Sequence, residues 1–245
     1  MLHATGITKR FGGLTAVADA SLSVAEGSIV GLIGPNGAGK TTLFAAITGF
    51  HRPDAGTVRF GERDITGLPP EEICRLGLVR TFQIVQPFAG LSVRENIAVG
   101  AHLRHPRRAA ALAAAESVAQ RVGLADQLDK PAAALTIAGR KRLEVARALA
   151  TEPRLILLDE VMAGLNPTEI AEIVPVVRGL VASGVTVLLI EHVMQAVMSL
   201  AEDVYVLNQG RMIAHGPPAT LVRDPMVIEA YLGHGAAQRL GAEHG

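Results

Sequence analysis

The segment Gly34-Pro35-Asn36-Gly37-Ala38-Gly39-Lys40-Thr41 constrains the fold of this chain more than any other. It follows an apolar run, Ser28 to Ile33, and opens a helical pattern from Lys40 to about Thr48. Strand, glycine-rich turn and helix in that order are the context of a phosphate-binding loop. The glycines let backbone N–H groups turn inward around phosphate oxygens. The helix that follows adds its positive end. Lys40 is predicted to reach the β- and γ-phosphates, and the Thr41 hydroxyl to ligate Mg²⁺. Thr42 is the next donor to phosphate. The competing reading, a glycine-rich turn with no ligand, does not account for the matching flanks.

The rest of the chain repeats the alternation of short apolar runs with helical patterns. Strands are predicted at Leu2–Ile7, Ser21–Val24, Ser28–Ile33, Thr57–Phe60, Leu155–Leu158, Thr186–Ile190, Asp203–Leu207 and Arg211–Ala214. The runs around Ile33, Leu157 and Leu189 are apolar at every position, as strands buried on both faces of a parallel sheet are. The N-terminal pairs alternate more, as antiparallel strands do. A helix is predicted from Thr168 to Ser183, with Asn166 as cap, Pro167 in the first turn and Glu169 at the positive end. From Val93 to Ala150 there are helical patterns only. The expected fold is α/β: a mostly parallel sheet, an N-terminal antiparallel β-subdomain and an inserted α-helical subdomain. The expected division is 1–92 (first part of the core), 93–150 (helical subdomain), 151–232 (rest of the core) and 233–245 (flexible tail).

A second chemical feature is Leu155-Ile156-Leu157-Leu158-Asp159-Glu160, an apolar strand ending in two carboxylates. Strand ends at the open edge of a parallel sheet are where ligands bind. Asp159 is expected to hold Mg²⁺, and Glu160 to polarise an attacking water. Alone the pattern is common; with the phosphate loop it gains weight. Gln83 and His192 also follow predicted strand segments, and by themselves read as ordinary polar residues at element ends.

Composition closes several alternatives. Lys plus Arg and Asp plus Glu are 23 each, so the chain has no net charge with which to grip nucleic acid or an anionic membrane globally. Cys74 is the single cysteine, which excludes an intrachain disulfide and fits a reducing compartment. The best apolar run, Gly179–Ile190, is 12 residues, against the roughly 20 needed to span a bilayer. No basic region leads into an apolar one near Met1, so no signal peptide is expected.

The order of these motifs resembles the nucleotide-binding subunit of an ABC transporter, a P-loop NTPase, over Leu2 to about Leu232. The resemblance implies ATP and Mg²⁺ as ligands. It implies that Phe11, 29 positions before Lys40, stacks on adenine; a core Phe after a strand is the rival reading. It puts Gln83 in the Q-loop, at the metal and toward the membrane partner, and Asp159 and Glu160 in the Walker B pair. Asn166 takes the D-loop position and His192 the switch position, so Glu160, His192 and Gln83 form the implied catalytic set. Leu135-Thr136-Ile137-Ala138-Gly139, before a helix Arg140–Ala150, stands where the family carries Leu-Ser-Gly-Gly-Gln. Thr136, Ala138 and Gly139 would then touch ATP bound to a partner subunit. Ala138 adds a Cβ where the pattern has glycine, and Val161 stands where proline usually follows the glutamate.

One branch is most similar. Lys9 to Leu14, Ile47 to Phe50, Asp64 to Pro69, Val79 to Gln83 and Glu229 to Gly233 resemble the ATP-binding subunits of branched-chain amino acid uptake systems. That implies a second ATPase subunit (identical or related), two transmembrane permeases and, indirectly, a periplasmic solute-binding protein. Nucleic acid is not an expected partner. The expected location is the cytoplasm, on the inner face of the membrane through the permeases. Three alternatives stay open: the ATPase of a lipid or polysaccharide exporter, a soluble non-transport ABC ATPase, and an ATP-binding subunit with weak hydrolysis, which the altered signature favours.

Overall fold

Each fully apolar run becomes a buried strand. In a computed structural model, β3 (Ile29–Ile33), β7 (Leu155–Asp159) and β8 (Thr186–Ile190) are buried at every position. The structure describes residues 1–81 and 87–232. Gln83 and the residues of the expected tail lie outside the described residues. The chain forms an α/β fold of two units: residues 1–70 with 188 onward, and residues 71–187. β8 carries the chain from the second back into the first.

The first unit begins with β1 (Leu2–Phe11) and β2 (Leu14–Val24), which form an antiparallel hairpin. Together with β4 (Ala55–Phe60) and β5 (Arg63–Asp64) they make a four-stranded antiparallel sheet in the order β2-β1-β4-β5. Alternate β1 residues Leu2 and Ala4 are buried while His3 is exposed, the period-two pattern of a one-faced sheet. β3 pairs in parallel with β9 (Asp203–Asn208), and β9 pairs antiparallel with β10 (Arg211–Gly216). Helix α1 (Lys40–Ile47) packs on β1 and β2 through the buried Leu43, Phe44 and Ile47.

The second unit opens with α2 (Pro70–Arg75) and β6 (Leu78–Arg80), which pairs in parallel with β7. Between them come α3 (Val93–Ala101), α4 (Arg108–Arg121), two short 3-10 turns and α5 (Ile137–Leu149), with no strand among the described residues. Ser92 and Glu95 close a reciprocal capping box at the start of α3. The fully buried Asn96 fixes the preceding loop: its amide donates to the carbonyls of Phe88, Leu91 and Ser92 and its oxygen accepts from Phe88 N–H. Helix α6 (Pro167–Ala182) starts as its sequence predicts, with an Asn166–Glu169 capping box and Pro167 in the first turn.

The first unit ends with α7 (Met194–Leu200), α8 (Pro218–Leu221) and α9 (Pro225–Leu232). No helix among the described residues is long and apolar enough to cross a membrane.

Candidate functional site

The Gly34–Thr41 loop joins β3 to α1, and backbone packing dictates its glycines. Gly34 (φ +152°) would place a Cβ 2.0 Å from the Leu207 carbonyl oxygen, and Gly39 (φ +104°) one 2.3 Å from that of Ala16. No side chain fits at either distance, so the loop is clamped between β2 and β9 by residues that lack one. Gly210 N–H donates to the Ala38 carbonyl at 2.9 Å and holds the loop from the β9–β10 turn.

Lys40 is buried, and its Nζ donates to the carbonyls of Gly34 (2.7 Å) and Pro35 (3.0 Å). Helix α1 has no side-chain cap at its N-terminus. Its first N–H groups need acceptors, and an anion there also meets the positive helix end. Thr41 is exposed and Thr42 half-buried at this end. Phe11 ends β1 and is 44% exposed, which removes the core reading. Its ring meets His51 edge-on, with centroids 5.2 Å apart, and Lys9 Nζ lies 5.5 Å from the ring centroid. The ring is a surface aromatic of the kind that can take part in stacking on a planar base. His192 is exposed just beyond β8, next to the buried Glu191.

In the second unit, Asp159 ends β7 with no solvent exposure. Its Oδ2 accepts from Arg80 Nη2 at 2.5 Å, and its N–H donates to Thr81 Oγ1 at 3.0 Å. Its Oδ1 is buried with no hydrogen-bond partner among the described residues. Burial raises the Asp159 pKa, and the Arg80 guanidinium pulls it part of the way back. A buried carboxylate oxygen without a donor fits a cation or its bound water. Mg²⁺ usually takes one or two carboxylates together with substrate phosphates. No group of three or more His, Cys, Asp or Glu side chains suited to a metal occurs among the described residues.

Glu160 follows with φ +52°, in the left-handed region that non-glycine residues avoid. Its backbone carbonyl accepts from the buried Lys141 Nζ at 2.9 Å. Strain of this kind persists where the surroundings over-determine it, and it clusters at functional sites.

The signature segment differs from its expected form. The helix starts at Ile137, not Arg140, and Thr136 is its cap, accepting from Gly139 N–H at 3.1 Å. Thr136 Oγ1 therefore spends a lone pair on the helix and keeps its proton to donate. Ile137 is 61% exposed, whereas Ala138 is buried, so the Ala138 methyl is covered by protein. Arg140 braces the segment, donating to the Leu135 and Ala133 carbonyls.

Arg80 and Thr81 fall within the Val79–Gln83 segment, but the sequence assigns no role to either, nor to Lys141. A cue exists for Arg80: a charge inside the apolar stretch Leu78–Thr81 requires a buried partner. Lys141 carries no comparable cue, because its contact is to a backbone carbonyl.

Residues 17–163 match the family model described as ABC transporter, and residues 211–237 that of the branched-chain amino acid ATP-binding cassette transporter. The chain is 43% identical over 249 residues to the high-affinity branched-chain amino acid transport ATP-binding protein LivG of Salmonella typhimurium, covering 95% of this chain and 98% of that one. It is 41% identical over 250 residues to the corresponding protein BraF of Pseudomonas aeruginosa, with the same coverage. Among solved structures, a nucleotide-free ATP-binding cassette from an ABC transporter matches with a TM-score of 0.88 at 33% identity, over 96% of this chain and 99% of that one. A clamped phosphate loop, a strand ending in two buried acids, and likeness along nearly the whole chain lead to one conclusion: this chain belongs to the ABC transporter family of ATP-binding proteins, in its branched-chain amino acid branch.

Proposed function

We propose that this chain is the ATP-hydrolysing subunit of an importer for branched-chain amino acids or similar small solutes, working in a dimer against transmembrane permeases on the cytoplasmic side of the membrane. A solute-binding protein would deliver the cargo. The cargo reading rests on 43% identity to LivG across 95% of the chain. The hydrolytic reading rests on Glu160, a buried carboxylate held in a strained conformation beside the orphaned Asp159 oxygen.

In this reading Lys40 and the first N–H groups of α1 take the β- and γ-phosphates, and Phe11 stacks on the adenine. Thr41, Asp159 and Gln83 would hold Mg²⁺, whose charge screens the phosphates. Catalysis of phosphoryl transfer to water is mainly positioning and charge neutralisation. Glu160 orients the water and accepts its proton. His192 stabilises the γ-phosphate. A second subunit supplies the Thr136 hydroxyl and the first turn of its α5, through Ala138 and Gly139, to that phosphate. Each chain carries each half of such a site once, so two ATP are enclosed by two subunits.

The test is Glu160→Gln. The variant is expected to bind MgATP as the parent does, lose turnover by about 10²- to 10⁴-fold, and accumulate as a nucleotide-bound dimer on gel filtration. Unchanged phosphate release would remove Glu160 as the base. If the parent chain binds MgATP and releases no phosphate even with its partner ATPase present, the weak-hydrolysis reading replaces this one.

A further inference from the structure

The left-handed backbone of Glu160 (φ +52°) is held from two sides. Asp159 before it and Val161 and Met162 after it are buried, so this part of the chain lies inside the protein. Polar backbone groups placed there need internal partners. The Glu160 carbonyl accepts from the Ala163 N–H at 3.2 Å, which closes a tight turn, and from Lys141 Nζ at 2.9 Å. The first contact is local to the turn. The second comes from α5.

Lys141 stands where an aliphatic side chain would pack. Ala138, Lys141 and Val145 follow the three-to-four spacing of one helix face, and all three are buried. A lysine only 7% exposed is rare unless its ammonium is engaged. Its charge lies within reach of the acid pair: burial raises the Asp159 pKa, Arg80 lowers it, and Lys141 adds to the lowering. A charge-assisted hydrogen bond thus fastens the main chain of Glu160 to the second turn of α5, just inside the Thr136 cap.

We propose that Lys141 is a positioning residue for ATP hydrolysis: by holding the Glu160 carbonyl it fixes the backbone that aims the Glu160 carboxylate, and it joins the start of α5 to that carboxylate as one mechanical piece. This role rests on Glu160 being the base that activates water. Where the first turn of α5 also meets the nucleotide of a second subunit, a shift of that turn would reach the base through the Lys141 ammonium. A misplacement of about 1 Å can cost roughly 10²-fold in rate, so a contact to the main chain is enough to matter.

The test is phosphate release, in steady state and in single turnover, by the full chain carrying Lys141→Met, alone and on a Glu160→Gln background. Methionine keeps most of the stem and removes the ammonium. Alone, Lys141→Met is expected to lower kcat by about 10- to 100-fold while KM for MgATP stays within about twofold of the parent. On Glu160→Gln the same substitution should cost no further rate, because groups that act as one unit are not additive. A purely structural role would lower both backgrounds alike, since glutamine leaves the backbone and its packing as they are. Thermal unfolding by circular dichroism checks that each variant is folded at the assay temperature. Should Lys141→Met not fold, Lys141→Gln, one atom shorter than lysine, is held to the same criteria. A parent-like kcat, a rise in KM alone, or an equal loss on Glu160→Gln would each overturn the proposal. Unchanged turnover in Glu160→Gln itself marks failure of the base assignment, a result read without touching Lys141.

Discussion

Arg80→Met tests whether the Asp159 carboxylate depends on its buried partner. The side chains of Arg80 and Asp159 are 8% and 0% exposed, and their charged atoms are 2.5 Å apart. Met keeps much of the volume and removes the cation, so Asp159 is left charged in a dry site. Breaking a buried pair from one side costs about 3–5 kcal/mol. For a chain of this size that is a fall in Tm of roughly 6–20 °C, at about 2–4 °C per kcal/mol. The assay is thermal unfolding by circular dichroism in a chelating buffer, at neutral and at acid pH.

The sign of the pH effect follows from linkage. Burial holds the Asp159 carboxyl above its ordinary value of 3.8, and Arg80 opposes that shift. A carboxyl raised in the folded state favours folding when protonated; the contribution is complete below the unfolded value and is lost as pH climbs through the folded one. Removing Arg80 raises the folded value further. The deficit of the variant is therefore largest at neutral pH and shrinks on acidification. Asp159→Asn added to Arg80→Met should recover most of the loss, because an amide bears no charge to strand. A loss under about 1 kcal/mol, the worth of an exposed pair, or one equal at both pH values, would refute the account.

The remaining predictions concern the two ends of the nucleotide. Phe11→Ala should weaken ATP binding several-fold with little change in Tm, because the ring lies at the surface and outside the core; unaltered affinity by equilibrium titration removes the stacking role. Gly39→Ala forces a Cβ to 2.3 Å from the Ala16 carbonyl at φ +104°. It should cost more than about 1 kcal/mol in urea unfolding and abolish nucleotide binding. Thr136→Ala removes the α5 cap at a cost of about 1 kcal/mol and should lower ATPase turnover, while Thr136→Ser restores both; a full rate in the alanine variant excludes the hydroxyl from the reaction.

Much of this architecture is legible in the sequence where one local rule governs. Thr186–Ile190 is apolar throughout and forms β8 with those bounds. Asn166, Pro167 and Glu169 announce the start of α6 three ways at once. Glycine spacing reveals the phosphate loop, but not that Gly34 and Gly39 are also demanded by the carbonyls of Leu207 and Ala16, since those contacts join residues distant in sequence. The α5 start at Ile137 is masked for a related reason: Thr136 is an ordinary cap residue, and reading the segment as a degraded motif draws attention away from it. The contact between Lys141 and the Glu160 carbonyl exists only once the chain has folded, so no pattern along it marks that contact.

The left-handed backbone at Glu160 has a practical consequence for enzymology. Glutamine carries the same Cβ and suffers the same torsional penalty, so exchanging one for the other alters the acid without releasing the spring beneath it. A glycine would do the reverse, relaxing the main chain by something like 1–3 kcal/mol while deleting the functional group. Comparing the two replacements separates what the carboxylate contributes to turnover from what the molecule gives up in robustness to keep it aimed.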